Sequence, residues 1–336
     1  MARERTPAEQ EYRATVNHIA FSMLIFEALF TVFGIVISVA GSVLDQMAIG
    51  HIWKSLIREL GYGVLYACVF VIPAFCFYLF SQKQKNVQVQ CETLVPAETA
   101  LYLLAGLAVI FATAQINAAL VGFFSVSPVV VDNVFGTQVT TNTQLVLTIV
   151  TTALVPAFVE EFLFRGVVLS HLLRYGKTTA VLFSALLFGI MHQNAAQLLY
   201  AVAAGLVLGF IYLKTRSIWP CVLLHFFNNF LSLIQAILAE RLPPATAYWA
   251  LAIMQGMIFL FGVAAAVLLI LRQKADHSEP PVRAPLALES DEAARGSASI
   301  AFGRRVQLFF SAPMIVFLAV CVLMMFLPTL LTLLLF

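Results

Sequence analysis

Long apolar runs separated by short polar stretches dominate the chain. A helix that crosses a bilayer needs about 20 mainly apolar residues, and runs of that kind fall near 17–41, 61–82, 98–124, 144–173, 178–193, 196–213, 217–238, 245–271 and 309–336. Unpaired backbone groups are too costly in hydrocarbon, so each run should be helical. The pattern therefore predicts an all-α fold, a polytopic transmembrane helix bundle of eight or nine spans. Only a short stretch around Gln193 separates the fifth span from the sixth. Ser38-Val39-Ala40 after the first run resembles a signal-peptide cleavage site. The run exceeds the roughly 7–15 residues of a signal peptide's apolar region, so a retained anchor is expected.

The polar stretches divide the chain into an N-terminal set of helices and loops (1–143), a four-span core (144–238), one further span (239–271), a linker (272–308) and a last span (309–336). The linker, with Glu279-Pro280-Pro281 and Ser290-Asp291-Glu292, reads as flexible and cytoplasmic. Segment 44–60, with Ile52, Trp53, Leu56 and Ile57 among polar residues, reads as an amphipathic helix on the outer surface. The Val- and Thr-rich loop 125–143 has room for a short hairpin. If the N-terminus is cytoplasmic, fifteen of the nineteen Lys and Arg residues lie on that side, three lie opposite and Arg165 lies within a span. That bias is what the positive-inside rule expects, and nine spans then carry the C-terminus outside.

Composition agrees with lipid as the solvent: 61% of residues are hydrophobic and 11% charged, against about a quarter charged in soluble domains. A net charge of +2 gives no argument for nucleic acid as a partner. Of the five cysteines, all but Cys91 lie in apolar runs and none forms a Cys-x-x-Cys pair, so they read as small buried hydrophobes.

Ionisable residues inside spans cost at least about 2.5–3.5 kcal/mol each on insertion scales and call for a reason. The fourth span carries Glu160, Glu161 and Arg165, the fifth His192, and the seventh His225 with Asn228 and Asn229. Glu27 stands alone in the first. Counting about 1.5 Å per helical residue from the basic ends puts Glu160, His192 and Asn229 about 20–22 Å deep, and Arg165 and His225 about 13 Å deep. Three helices thus contribute to one polar layer. Glu161 and Arg165, at i and i+4, can pair, and His225 and Asn229 share a face. Glu160 is turned about 100° from Glu161.

Such a layer can hydrolyse a peptide bond. Glu160 can act as base on water, His192 can orient that water and relay its proton, and His225 and the Asn229 amide can donate to the oxyanion. The Glu161–Arg165 pair would fix the helix and the local field, though it also reads as a purely structural pair. A lone membrane histidine can be a packing residue, and Asn229 can simply tie two helices together. Asn228, Glu27 and the histidines at span ends (His18, His51, His171, His277) read as structural, and Gly205-xxx-Gly209 as close helix packing. There is no His-Glu-x-x-His, no Gly-x-Ser-x-Gly and no pair of membrane aspartates. No cofactor is called for. Zinc stays open, since Glu160, His192 and His225 supply three candidate ligands.

The ordered motifs Glu160-Glu161-x-x-x-Arg165, Phe188-x-x-x-His192 and His225-x-x-x-Asn229, each on its own span, resemble the CPBP family of intramembrane proteases (CAAX proteases and bacteriocin-processing proteins, also called Abi). Gly205-Leu206-Val207-Leu208-Gly209 and Ser217-Ile218-Trp219-Pro220 lie between the second and third motifs. The resemblance covers roughly 145–235 and implies a glutamate-dependent endopeptidase. In it Glu160 and His192 activate water, His225 and Asn229 stabilise the oxyanion, and the substrate is a membrane-bound or lipidated, CAAX-like peptide. Family members are often labelled metalloproteases. Two other classes fit buried Glu, His and Arg: a proton-coupled transporter, which would often show inverted repeats absent here, and a non-catalytic membrane partner or immunity protein.

Overall fold

A computed structural model describes residues 4–81, 89–123, 141–275 and 300–335. Ten helices run through them: α1 (Pro7–Gln46), α2 (His51–Phe80), α3 (Pro96–Phe123), α4 (Asn142–Leu173), α5 (Lys177–Ile190), α6 (Ala195–Thr215), α7 (Trp219–Arg241), α8 (Pro244–Ala275), α9 (Phe302–Phe309) and α10 (Ala312–Leu335). No strand is formed among the described residues. Seven of the helices are long and apolar enough to span a bilayer, and α9 with α10, bent by 66°, can count as an eighth. The chain is thus an integral, multi-pass, all-α membrane protein. The helix that separates eight from nine is α5, whose 14 residues extend about 21 Å against a hydrocarbon core of about 30 Å.

Local chemistry sets the ends. At the start of α1 the Thr6 hydroxyl accepts from the Glu9 amide while Glu9 accepts from the Thr6 amide, with Pro7 in the first turn. One stripe of α1 (Tyr12, Val16, Ile19, Met23, Phe26) is buried, and α1 packs along α2 and α10. The Ser22 hydroxyl donates to the Pro73 carbonyl of α2 at 2.6 Å. α5 and α6 form a tight hairpin, and α3 packs between α6 and α8. Outward faces carry large apolar side chains such as Val64, Ile116, Leu260 and Trp249. That surface suits lipid and would be a liability in water.

Three expectations change. Segment 44–60 is no separate surface helix: α1 runs to Gln46 and α2 starts at His51, so long helices absorb both halves. Residues 302–308 are not free linker but most of α9. Leu308 and Phe309 are buried, Phe309 stacks on Phe183 of α5 with centroids 3.7 Å apart, and Arg304 pairs with Glu9 at 2.8 Å. The apolar face of α9 thus has a partner, which a sequence-local reading could not supply. His192 lies not inside a span but in the turn that follows α5. The hairpin expected at 125–143 falls almost wholly outside the described residues. At the α1–α4–α5 end, Thr15 and Tyr175 share a hydrogen bond of 2.9 Å. Burial pushes the Tyr175 phenol up to about 12, so it stays neutral there. Arg174 pairs with Glu11 at that end at 2.9 Å.

Candidate active site

Glu160 and Glu161 leave α4 between two π-helical segments, Val150–Leu154 and Phe162–Leu169. Such insertions redirect the side chains that follow and often flank functional sites. Pro156 is a local cause. It has no N–H to give the Thr152 carbonyl four residues back, and the Val155 amide donates to Val150 instead. The freed Thr152 carbonyl accepts from the Asn229 side-chain amide of α7 at 3.4 Å. At the second segment the Ser170 hydroxyl donates to the Arg165 carbonyl and Ser184 to that of Phe164.

Glu161 and Arg165 are fully buried and paired at 2.9 Å. Arg165 also donates to the Gly205 carbonyl at 3.1 Å, and its guanidinium lies 4.8 Å from the centre of the Phe188 ring. The same Glu161 oxygen meets His225 Nδ1 at 2.8 Å. An ionised carboxylate only accepts, so Nδ1 carries the proton and Nε2 is the nitrogen left for chemistry. His225 Nε2 faces Glu160 Oε2 at 3.9 Å. Glu160 Oε1 accepts from the Tyr66 hydroxyl of α2 at 2.5 Å. Its Oε2 is buried and has no hydrogen-bond partner among the described residues.

His192 repeats the arrangement. Its Nδ1 donates to the Phe188 carbonyl at 2.7 Å, leaving Nε2 free, and Glu160 and His225 lie close enough to act on its charge. Phe188 joins the parts, edge-on to His192 at 5.1 Å and to His225 at 5.9 Å between centroids. The turn bearing His192 is held by its neighbour. Gln193, at φ 51°, donates its side-chain amide to Glu27 of α1, and Glu27 also takes the Cys321 thiol of α10 at 3.7 Å. Two carboxylates and one guanidinium leave one negative charge in an apolar interior.

Glu160, Glu161, Arg165, Phe188, His192 and His225 are therefore brought together. The Asn229 amide, expected to face the reaction centre, is turned to Thr152. Asn228 accepts from the Tyr200 hydroxyl at 2.8 Å and donates to Asn229, in keeping with the structural role expected of it. So is Glu27, which meets the polar group of a neighbouring element. His171 is buried, with Nδ1 on the Val167 carbonyl. Tyr66 is the residue the sequence did not single out; an aromatic phenol in an apolar run carries no signal of its own. Among the described residues no three His, Cys, Asp or Glu side chains form a group placed to hold a metal ion.

Residues 142–231 match the family model described as type II CAAX prenyl endopeptidase Rce1-like. The chain is also similar to a Bacillus subtilis (strain 168) protein named "Putative membrane peptidase YdiL", with 34% identity over 86 residues. That alignment takes in 25% of this chain and 34% of the relative, so the chain spans about a third of the relative's length. No solved structure matches. With the three motifs in order on α4, on α5 and the turn after it, and on α7, and with the family model lying over the same stretch, residues 142–231 are similar to the type II CAAX prenyl endopeptidases and sit within a larger helical membrane protein.

Proposed function

We propose that this protein is an intramembrane endopeptidase that hydrolyses a membrane-bound or lipidated peptide by glutamate-activated water. The observation that carries the proposal is the pairing of Glu160 Oε2 with His225 Nε2 across 3.9 Å, each group being held from behind, Glu160 by Tyr66 and His225 by Glu161. A single water can reach hydrogen-bond distance of both atoms at that separation. Glu160 takes the proton as the water oxygen bonds to the scissile carbonyl carbon. His192, through its free Nε2, orients the water, then takes the proton from Glu160 and passes it to the leaving amine as the C–N bond breaks. Protonated His225 donates to the oxyanion, and the Asn229 amide joins it, exchanging its long bond to Thr152. No step is routed through a metal. The relative's name and the family description support a peptidase, and the charge bias supports a cytoplasmic N-terminus.

The test is cleavage of a quenched lipopeptide library by the purified protein, with Glu160→Ala and His192→Ala, with and without a zinc chelator. Loss of at least about 10²-fold in both variants, with activity kept in chelator, is the expected result. Loss in chelator would move Glu160, His192 and His225 to metal ligands. Equal cleavage by wild type and variants would sink the assignment.

A further inference from the structure

We infer that Tyr66 is a positioning residue for Glu160, an inference that rests on the proposed hydrolysis. Tyr66 belongs to α2, outside the segment 142–231 that the family model covers. Its hydroxyl donates to Glu160 Oε1 at 2.5 Å. Its ring stacks on Tyr62 with centroids 5.5 Å apart and packs against Phe70 at 5.0 Å and Phe33 at 6.2 Å. The phenol is therefore held at both ends, by rings along its body and by the carboxylate at its tip.

The register of α2 on α4 puts it there. Ser55 accepts from Gln144 at 2.8 Å, Glu59 accepts from Thr151 at 2.9 Å, and a Cβ at Gly63 would lie 3.1 Å from a Thr151 methyl. Ser55, Glu59 and Tyr66 recur at helical spacing on one face of α2, and their partners step along α4 to Glu160. A carboxylate has two equivalent oxygens and a free torsion that exchanges them. With Oε1 occupied by a neutral donor, only Oε2 is left to take the proton of a water, and Oε2 is the oxygen that faces His225. Tyr66 gives up no proton; it decides which oxygen acts as base.

Tyr66→Phe removes one oxygen and keeps the ring. The expected result is a kcat lower by about 10- to 100-fold, as for other small displacements of a reacting group, with KM within about twofold. Ser55→Ala, which cuts the Ser55–Gln144 tie on the same face, should leave kcat unchanged. Infrared difference spectra against Glu160→Gln isolate the Glu160 carboxyl band independently of cleavage. That band should move in Tyr66→Phe and stay put in Ser55→Ala. An unmoved band in Tyr66→Phe would overturn the contact, and a moved band with wild-type kcat would reduce it to a tie between helices. A moved band in a protein that cleaves no peptide would sink the protease reading, and the catalytic role of Tyr66 with it, leaving only the hydrogen bond.

Discussion

Arg165 has its charge satisfied from three sides: the Glu161 carboxylate, the Gly205 carbonyl and the face of Phe188. Removing it leaves a buried carboxylate without its cation, which costs about 3–5 kcal/mol in a protein interior. Arg165→Ala should therefore melt far below wild type in detergent. Arg58→Ala, which breaks an exposed pair with Asp45 at the end of α1, should cost less than about 1 kcal/mol. Equal losses in the two variants would mean that the buried pair is not what holds the core. At this scale the sequence is most legible where a residue is expensive. Glu160, Glu161, Arg165 and His225 stand out because ionisable groups are rare in apolar runs. That Glu161 holds His225 was not legible. Counting along straight helices places Glu160 and His225 about 8 Å apart in depth, whereas the folded chain brings Glu160 Oε2 and His225 Nε2 within 3.9 Å. Tyr66 was invisible for the opposite reason, since a tyrosine in a span needs no explanation.

The α5–α6 hairpin holds the His192 turn against α4, and Gly205 lets its two helices approach closely. A Cβ at that position would lie 2.8 Å from the Cα of Ala185, and the Gly205 carbonyl is the one that accepts from Arg165. Gly205→Ala therefore pushes backbone against backbone and drags the acceptor with it. A loss of about 1–3 kcal/mol is expected. Gly34→Ala on α1, where nothing lies within 4 Å, should be neutral or slightly stabilising because alanine is the better helix former. Thermal unfolding of the pair decides it; a neutral Gly205→Ala would mean the hairpin can open without cost. The close packing itself was readable from Gly205 and Gly209. The π-helical segments of α4 were not, because the first arises from Pro156 acting together with a donor on α7, the Asn229 side-chain amide.

Taken whole, the family segment is enclosed by helices outside it: α2 brings Tyr66, α1 brings Glu27, and α9 with α10 bring Phe309 and Cys321. Phe309 is fully buried and stacked on Phe183. Phe309→Ala should cost about 3–5 kcal/mol if α9 is an integral part of the fold, while a melting temperature equal to wild type would return α9 to the status of a tether. Its docking escaped the sequence because the charged stretch before it reads as linker. The Glu27 contact has a consequence for how the protein is made. Glu27 lies 166 positions before Gln193 and 294 before Cys321. At a synthesis rate of about 5–20 residues per second, the last of these partners leaves the ribosome roughly 15–60 s after the glutamate. Until then the first helix holds a carboxyl group in the membrane without its full set of partners, the Gln193 amide arriving first and the Cys321 thiol last.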